Sequence, residues 1–307
     1  MKTAWVFPGQ GSQSVGMGSD LLNIPTAAAR FDQAEQILGW SVAEVCLQED
    51  CLSRTLYTQP CLYVISAVLA DLMKEQGDRP DLVAGQSLGE YVALYVAGVF
   101  SFEAGLQLVK RRAELMDRVS TGVMMALIGV DRDQLTAQIE KTPDVVLAND
   151  NHPGQVVISG LSEAIASVLS QVKVRRAVPL KVSGAFHSPV VAEAAEAFCE
   201  VLKVVPFQAA QVPVISNVEP TLQMAADRLK AQLMQQMTGP VRWREISLRL
   251  AAEGVDRVIE VGSGNVLTGL ISRTCEELIL ENVASFEDLA KNRELNASEN
   301  LVSSKSR

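Results

Sequence analysis

The sequence predicts an α/β fold in two parts: a large unit built on a parallel sheet and a smaller ferredoxin-like unit inserted into it. Three observations predict it. At 307 residues, 48% hydrophobic but only 5% aromatic, the chain suits one large domain with a smaller one inside it and an aliphatic core. Short buried strands alternate with helical stretches along most of its length. Between residues 123 and 186 the order changes to βαββαβ, the ferredoxin-like pattern, and the earlier alternation resumes after His187.

Taken in order, Thr3 to Phe7 reads as a buried strand ended by Pro8-Gly9, and Gly-Gln-Gly-Ser-Gln follows as a tight loop. Pro25 to Leu38 and, more strongly, Cys61 to Gln76 have helical spacing of apolar residues. Asp81 to Ala84 is a short strand, and helices follow from Leu88 onward and over Gly105 to Met116. The insertion comprises strand Val123 to Val130, helix Arg132 to Lys141, and strands Val145 to Ala148 and Gln155 to Ser159. It closes with helix Ser162 to Val172, with Ser162 as its cap, and strand Ala177 to Val182. Strand Val212 to Asn217, helices Met224 to Gln236 and Ser247 to Glu253, and strand Val258 to Val261 resume the large unit. The expected division is 1–121 with 188–285 for the large subdomain, 122–187 for the small one, and a polar, disordered tail over 286–307.

A formal net charge of −9 and a pI near 4.9 argue against nucleic acid and anionic membrane as partners. Lys173, Arg175, Arg176 and Lys181 are close enough to form a local basic patch, although a solvated helix end and strand edge is the plainer reading. Five scattered cysteines without CxxC spacing indicate neither a disulfide framework nor a zinc site, and no metal is expected. The apolar start stops at Phe7-Pro8, too short for a signal peptide, and no other apolar stretch reads as a membrane span. A cytoplasmic monomer is the expected state.

Gly85-Gln86-Ser87-Leu88-Gly89 lies between a predicted strand and a predicted helix, the context of a G-x-S-x-G nucleophile elbow. Such a turn projects the serine hydroxyl into a cleft at a helix N-terminus, where free amides favour a developing oxyanion. A serine needs a base, and the chain has two histidines. His152, in Asn-His-Pro-Gly, reads as a surface turn residue. His187 stands where the small unit returns to the large one, a place where clefts form, so it is the candidate base. No acidic residue between Ser87 and His187 stands out as a third member, which weakens an esterase reading.

Seven motifs occur in a fixed order: Phe7-Pro-Gly-Gln-Gly-Ser-Gln13, Thr58-Gln59-Pro60, Gly85-Gln-Ser-Leu-Gly-Glu-Tyr91, Arg112, Asn149-Asp-Asn151 with Pro153-Gly-Gln155, Gly184-Ala-Phe-His-Ser188 and Pro240-Val-Arg-Trp243. Together, over residues 1 to about 285, they resemble the malonyl-CoA:acyl carrier protein transacylases of fatty acid synthesis. The resemblance implies an α/β-hydrolase-like large subdomain. It implies a malonyl ester on Ser87, His187 as general base and Gln236 as the residue that orients it. Gln10 and the Leu88 amide would form the oxyanion hole, and Arg112 would hold the malonyl carboxylate. Phe186 would exclude an α-methyl branch, and Gln59 and Gln86 would border the substrate. Asn149, Asn151 and Gln155 would line the pantetheine channel. No cofactor would be permanently bound; malonyl-CoA and the phosphopantetheine of acyl carrier protein would be substrates.

A guanidinium holding a carboxylate through two parallel hydrogen bonds gives the Arg112 role its own physical basis. Two departures from the family pattern stand out. Gln86 replaces the usual histidine before the nucleophile, and Ser263 stands where proline is common, with only a small backbone effect expected. Three alternatives remain at this stage: a malonyl transferase serving a polyketide synthase or a malonate-metabolising complex, a serine thioesterase, and a non-catalytic carrier-protein-binding subunit.

Overall fold

The computed structural model of the chain describes residues 1–292. Strand β1 (Thr3–Phe7) shows why the large sheet forms. Trp5 and Phe7 enter one apolar core and Ala4 and Val6 another, because successive strand side chains face opposite ways. A strand buried on both faces belongs inside a parallel sheet covered by helices. Helices α1 (Pro25–Leu38), α2 (Val42–Cys46), α3 (Glu49–Leu52) and α4 (Thr55–Glu75) lead to strand β2 (Leu82–Gly85), which pairs parallel with β1, Phe7 opposite Gly85. Helices α5 (Gly89–Val96) and α6 (Phe102–Asp117) complete the first half.

The insertion runs β3 (Val123–Val130), α7 (Arg132–Ile139), β4 (Val145–His152), β5 (Gln155–Gly160), α8 (Ser162–Gln171) and β6 (Val174–Pro179). Its antiparallel sheet has the order β4-β5-β3-β6. Leu127, Val156 and Ile158 on one face pack against Leu135 of α7 and Ile165 and Val168 of α8, a separate small core. The chain returns through α9 (Ala192–Val204), β7 (Val214–Ile215), β8 (Leu222–Gln223), α10 (Ala226–Gln236), α11 (Trp243–Ala252), β9 (Arg257–Val261), α12 (Val266–Ile271) and β10 (Ile279–Val283). The large sheet reads β10-β9-β1-β2-β7-β8, parallel except for β8 at its edge. Its second core sets Trp243, Ile246 and Leu250 of α11 against Ala4, Val6 and Leu82.

Strand β4 is tied to the large unit through Val241, in the connection between α10 and α11. Asp150 of β4 donates its amide to Val241 O at 2.9 Å, and Val241 returns its own amide to Ala148 O at 2.8 Å. Asp150 Oδ2 also pairs with Arg132 Nη2 at 2.5 Å and Arg244 Nε at 3.0 Å, one cation from each unit. The small sheet is thereby held over the carboxyl ends of β1, β2 and β7, where open parallel sheets place ligands.

Several expectations need correction. Helix α4 begins at Thr55, six residues before Cys61, and carries Pro60 inside it. It is therefore long and apolar enough to span a membrane by length and composition, but 83% of its most apolar window is buried in the protein. Ser162 is the first residue of α8, with Leu161 at the cap and no side-chain cap bond. Asn149 and Asn151 lie in strand β4 rather than a loop, since β4 runs on to His152. The strand expected over Val212 to Asn217 keeps only Val214–Ile215. The tail expected from 286 begins as a helix over 286–292, with Leu289 buried; residues 293–307 lie outside the described residues.

Candidate active site

Three loops leave the carboxyl ends of the central strands and converge. Between β2 and α5 the chain reverses within Gln86-Ser87-Leu88, and Ser87 is held at φ 51°, a left-handed conformation that costs a non-glycine residue energy. The two flanking glycines are required by close approach. A Cβ on Gly85 would lie 2.0 Å from Gly89 C, and one on Gly89 would lie 1.9 Å from Phe7 O. The strained turn projects the Ser87 hydroxyl into the cleft beneath the small sheet. Leu88 stands at the N-cap of α5, where an amide has no partner within the helix.

Asn217, just beyond β7, clips this turn from outside. Its Oδ1 accepts from Ser87 N at 2.6 Å and its Nδ2 donates to Gly85 O at 2.6 Å. Nothing in the sequence singled it out.

His187 arrives from the chain that leaves the small unit, also with a left-handed φ of 56°. Its Nε2 lies 2.8 Å from Ser87 Oγ. Its Nδ1 faces Gln236 O at 3.0 Å and Gly239 O at 3.2 Å. Carbonyls only accept, so Nδ1 carries the proton and Nε2 is the free base facing the hydroxyl. Burial, reinforced by the neighbouring Arg112 cation, lowers the His187 pKa from 6.5 to about 4. The imidazole is thus neutral at physiological pH. Two carbonyls orient it where a carboxylate would in a hydrolase triad. Gln236 takes part through its backbone oxygen, whereas its side chain is engaged elsewhere.

Arg112, on α6, is 1% exposed, and its chain neighbour Arg111 instead pairs with Glu114 at the surface at 3.0 Å. Arg112 Nη1 donates to Gln59 Oε1 at 2.6 Å; Nη2 donates to Ser87 Oγ and to Gln236 Oε1, each at 3.1 Å. Its guanidinium carbon sits 5.5 Å from the centre of the Tyr91 ring. Burial pushes the guanidinium pKa below its ordinary value, against the raising effects of Tyr91 and Glu90. Gln59 is held in turn: its Nε2 donates to Thr55 Oγ1 at 2.8 Å, and Thr55 Oγ1 donates to Gln10 Oε1 at 2.7 Å. A chain of hydrogen bonds therefore runs from the first loop to the cation.

Gln10, Gln86, Ser87, Leu88, Arg112, Asn149, Phe186 and His187 line one cleft. Asn151 and Gln155 continue outward from it. Gln86 Nε2 donates to Asn151 Oδ1 at 3.3 Å, and Asn151 Nδ2 donates to Gln155 Oε1 at 2.9 Å. His152 lies apart, accepting from Gly154 N at 3.1 Å in the β4–β5 hairpin. Lys173, Arg175, Arg176 and Lys181 are exposed along and just beyond β6, the free edge of the small sheet. Ser263 does more than alter the backbone: its hydroxyl donates to Ser12 O at 3.0 Å, bracing the first loop as proline could not. Among the described residues no group of histidine, cysteine and carboxylate side chains is arranged to hold a metal ion.

Chemically, a neutral imidazole beside a serine hydroxyl can take its proton, helix-start amides can hold an oxyanion, and a buried cation next to the hydroxyl selects an anionic acyl group. Comparison with known proteins points to the same family of enzymes. The acyl transferase domain family matches residues 4–304. A malonyl CoA-acyl carrier protein transacylase of Synechocystis is 55% identical over 94% of this chain and 99% of its own length. The crystal structure of the malonyl-CoA:ACP transacylase from the same organism superposes with a TM-score of 0.93, covering 95% of this chain and 100% of that one. A solved complex of a type II polyketide acyl-carrier protein with its malonyl-transacylase matches at 35% identity and a TM-score of 0.91, covering 96% of this chain and 99% of that one.

Proposed function

The chain belongs to the acyl transferase domain family, and from that premise we propose that it moves malonyl from malonyl-CoA to the phosphopantetheine thiol of an acyl carrier protein, for fatty acid synthesis. The observation that carries the reading is the position of Ser87 Oγ, 2.8 Å from His187 Nε2 and 3.1 Å from Arg112 Nη2. Base, nucleophile and carboxylate clamp meet at one atom.

In the first half-reaction His187 Nε2 takes the Ser87 proton as Oγ attacks the malonyl thioester carbonyl. The Leu88 amide and Gln10 stabilise the resulting oxyanion. When it collapses, the C–S bond breaks and the CoA thiolate takes the proton from His187. In the second half-reaction the pantetheine thiol gives its proton to His187 and attacks the ester, and Ser87 Oγ recovers that proton on leaving. Both partners are substrates and no resident cofactor takes part.

Arg112 pairs with the free carboxylate of malonyl. An acetyl group would leave that buried cation without its anion, which is the physical source of selectivity. Phe186, buried at the cleft beside His187, limits room for an α-methyl branch. Asn149, Asn151, Gln155 and Gln86 form the polar wall along which pantetheine lies, and Gln59 fixes the Arg112 fork. The exposed cations Lys173, Arg175, Arg176 and Lys181 offer the acidic carrier a docking edge beside the cleft. The large subdomain comprises 1–121 with 188–285 and the small one 122–187, and the enzyme works in the cytoplasm.

Intact-protein mass spectrometry after brief mixing with malonyl-CoA tests this. A malonyl adduct in the parent that is absent from Ser87→Ala and passes to a carrier thiol is the expected result. Release of free malonate instead of transfer would mark a thioesterase. No adduct at all would leave only carrier binding.

A further inference from the structure

One buried carboxylate beside the cleft has no part in that mechanism. Glu90 lies in the first turn of α5, three residues after Ser87, and is 1% exposed. Its Oε2 accepts from Gln236 Nε2 at 2.8 Å and from Asn217 N at 3.3 Å. Gln236 Nε2 also donates to Ser87 O at 2.8 Å. With its NH₂ committed to two acceptors, the Gln236 amide has one possible orientation, and its Oε1 must face Arg112, where it accepts at 3.1 Å. Burial raises the Glu90 pKa, opposed by the hydrogen bonds that it accepts from Gln236 and Asn217 and by the Arg112 cation; with Glu90 ionised, Gln236 insulates a buried carboxylate from a buried cation. The negative charge of Glu90 favours the Arg112 cation across it, against the burial that disfavours it.

Resting on the transferase reading above, we propose that Glu90 is a positioning residue that sets how tightly Arg112 holds the malonyl carboxylate. A buried cation with no counter-charge would grip an incoming carboxylate so firmly that the malonyl-serine would become a trap. The Glu90 carboxylate supplies part of that counter-charge one amide away, so the Arg112 cation is tolerated in its buried place and does not hold a carboxylate too deeply. It cannot take the malonyl place itself, because Gln236 stands between it and Arg112. An enzyme that must first accept malonyl and then release it gains from such partial neutralisation, since binding an intermediate and its transition states equally tightly does not speed release.

The test is Glu90→Gln, which can keep both accepted hydrogen bonds through its carbonyl oxygen while deleting the charge. Acylation by malonyl-CoA, transfer to a carrier thiol, and acylation by acetyl-CoA are followed by intact-protein mass spectrometry and steady-state kinetics. The expected result is a KM for malonyl-CoA lowered about threefold or more, with kcat for transfer lowered too and acetyl acylation changed less than about twofold. Equal losses on malonyl and acetyl, or unchanged malonyl KM and kcat, would overturn the proposal. If Glu90→Gln does not fold, Glu90→Asp, which withdraws the charge by one methylene, should shift the malonyl KM the same way by a smaller factor while sparing acetyl; no malonyl-specific shift overturns it. A parent protein that forms no malonyl adduct would instead sink the transferase reading itself, so the two failures are told apart.

Discussion

Arg112 Nη2 donates to Ser87 Oγ at 3.1 Å, so the cation proposed to hold the substrate carboxylate touches the proposed nucleophile directly. When malonyl is attached, its carboxylate is a few bonds from Oγ and lies within reach of the same guanidinium. Arg112→Ala should slow malonyl adduct formation on the order of a hundredfold or more while sparing acetyl, because only malonyl loses a buried charge partner. Arg112→Lys should recover little, since a point charge cannot reproduce the planar fork held by Gln59 and Gln236. Adduct rates with malonyl-CoA and acetyl-CoA, compared across the three proteins, check this. Equal slowing of both acyl groups would contradict a carboxylate clamp.

The lowered pKa of His187, about 4, has two consequences with a definite sign. The base stays neutral on acidification, so malonyl adduct formation should be flat from about pH 8 to about pH 5 and decline only toward pH 4. An unperturbed histidine would instead lose activity from about pH 6.5. Stability moves too. Between the folded pKa and the unfolded value near 6.5 the unfolded chain binds the extra proton. His187 therefore costs stability as pH falls through that window, by about 3 kcal/mol once both states are protonated. Urea unfolding of the parent and His187→Gln at neutral pH and near pH 4.5 should show a smaller acid loss in the variant. Identical losses would place the base in a more exposed setting than the one described.

Asn217 should prove as important to the elbow as its glycines. Asn217→Ala removes two 2.6 Å hydrogen bonds, one to the partly buried Ser87 N and one to the buried Gly85 O. The expected cost is about 2–3 kcal/mol of stability, with kcat lowered at least tenfold because the strained φ of Ser87 is no longer enforced. Thermal unfolding and adduct kinetics measure the two separately. A variant that lost neither would show that the turn is held by its glycines alone.

The sequence disclosed those parts of the site that sit inside contiguous motifs. Ser87 was legible because the glycines around it are demanded by backbone contacts of about 2 Å, leaving a local signature. His187 was legible because only two histidines exist and the other lies in a hairpin. Asn217 was not, because it acts on the elbow from 130 positions away and nothing around it is unusual. Glu90 was visible inside a quoted motif, yet its partner Gln236 lies 146 positions on, and no spacing rule announces an amide bridge. Apolar spacing marks helix α4 only from Cys61, because its first turn, Thr55 to Pro60, carries polar residues; the chain enters helix at Thr55, and Thr58 Oγ1 donates back to Arg54 O at 2.9 Å near that start. The strand β4 extension past Ala148 was hidden by Asn-Asp-Asn, residues that favour turns, and is sustained there by pairing with β5 and the bridge to Val241.

Asp150 offers the test of how the small sheet is kept over the cleft. It is 5% exposed and pairs with Arg132 of the small unit and Arg244 of the large one, both about one-third exposed. Removing the carboxylate leaves two cations that water can partly reach, so the cost falls short of a fully buried pair, about 1–2 kcal/mol. Asp150→Ala should therefore lower the melting temperature by a few degrees. It should also raise the KM for malonyl-CoA, because the next residue, Asn151, joins Gln86 to Gln155 across the same seam. Glu200→Ala, which breaks a solvent-exposed pair with Lys203, is the control and should change neither quantity. A raised KM in Asp150→Ala with an unchanged melting temperature would mean that the clamp positions the channel wall without bearing stability. The reverse result would mean that Gln86 and Asn151 hold their places without it.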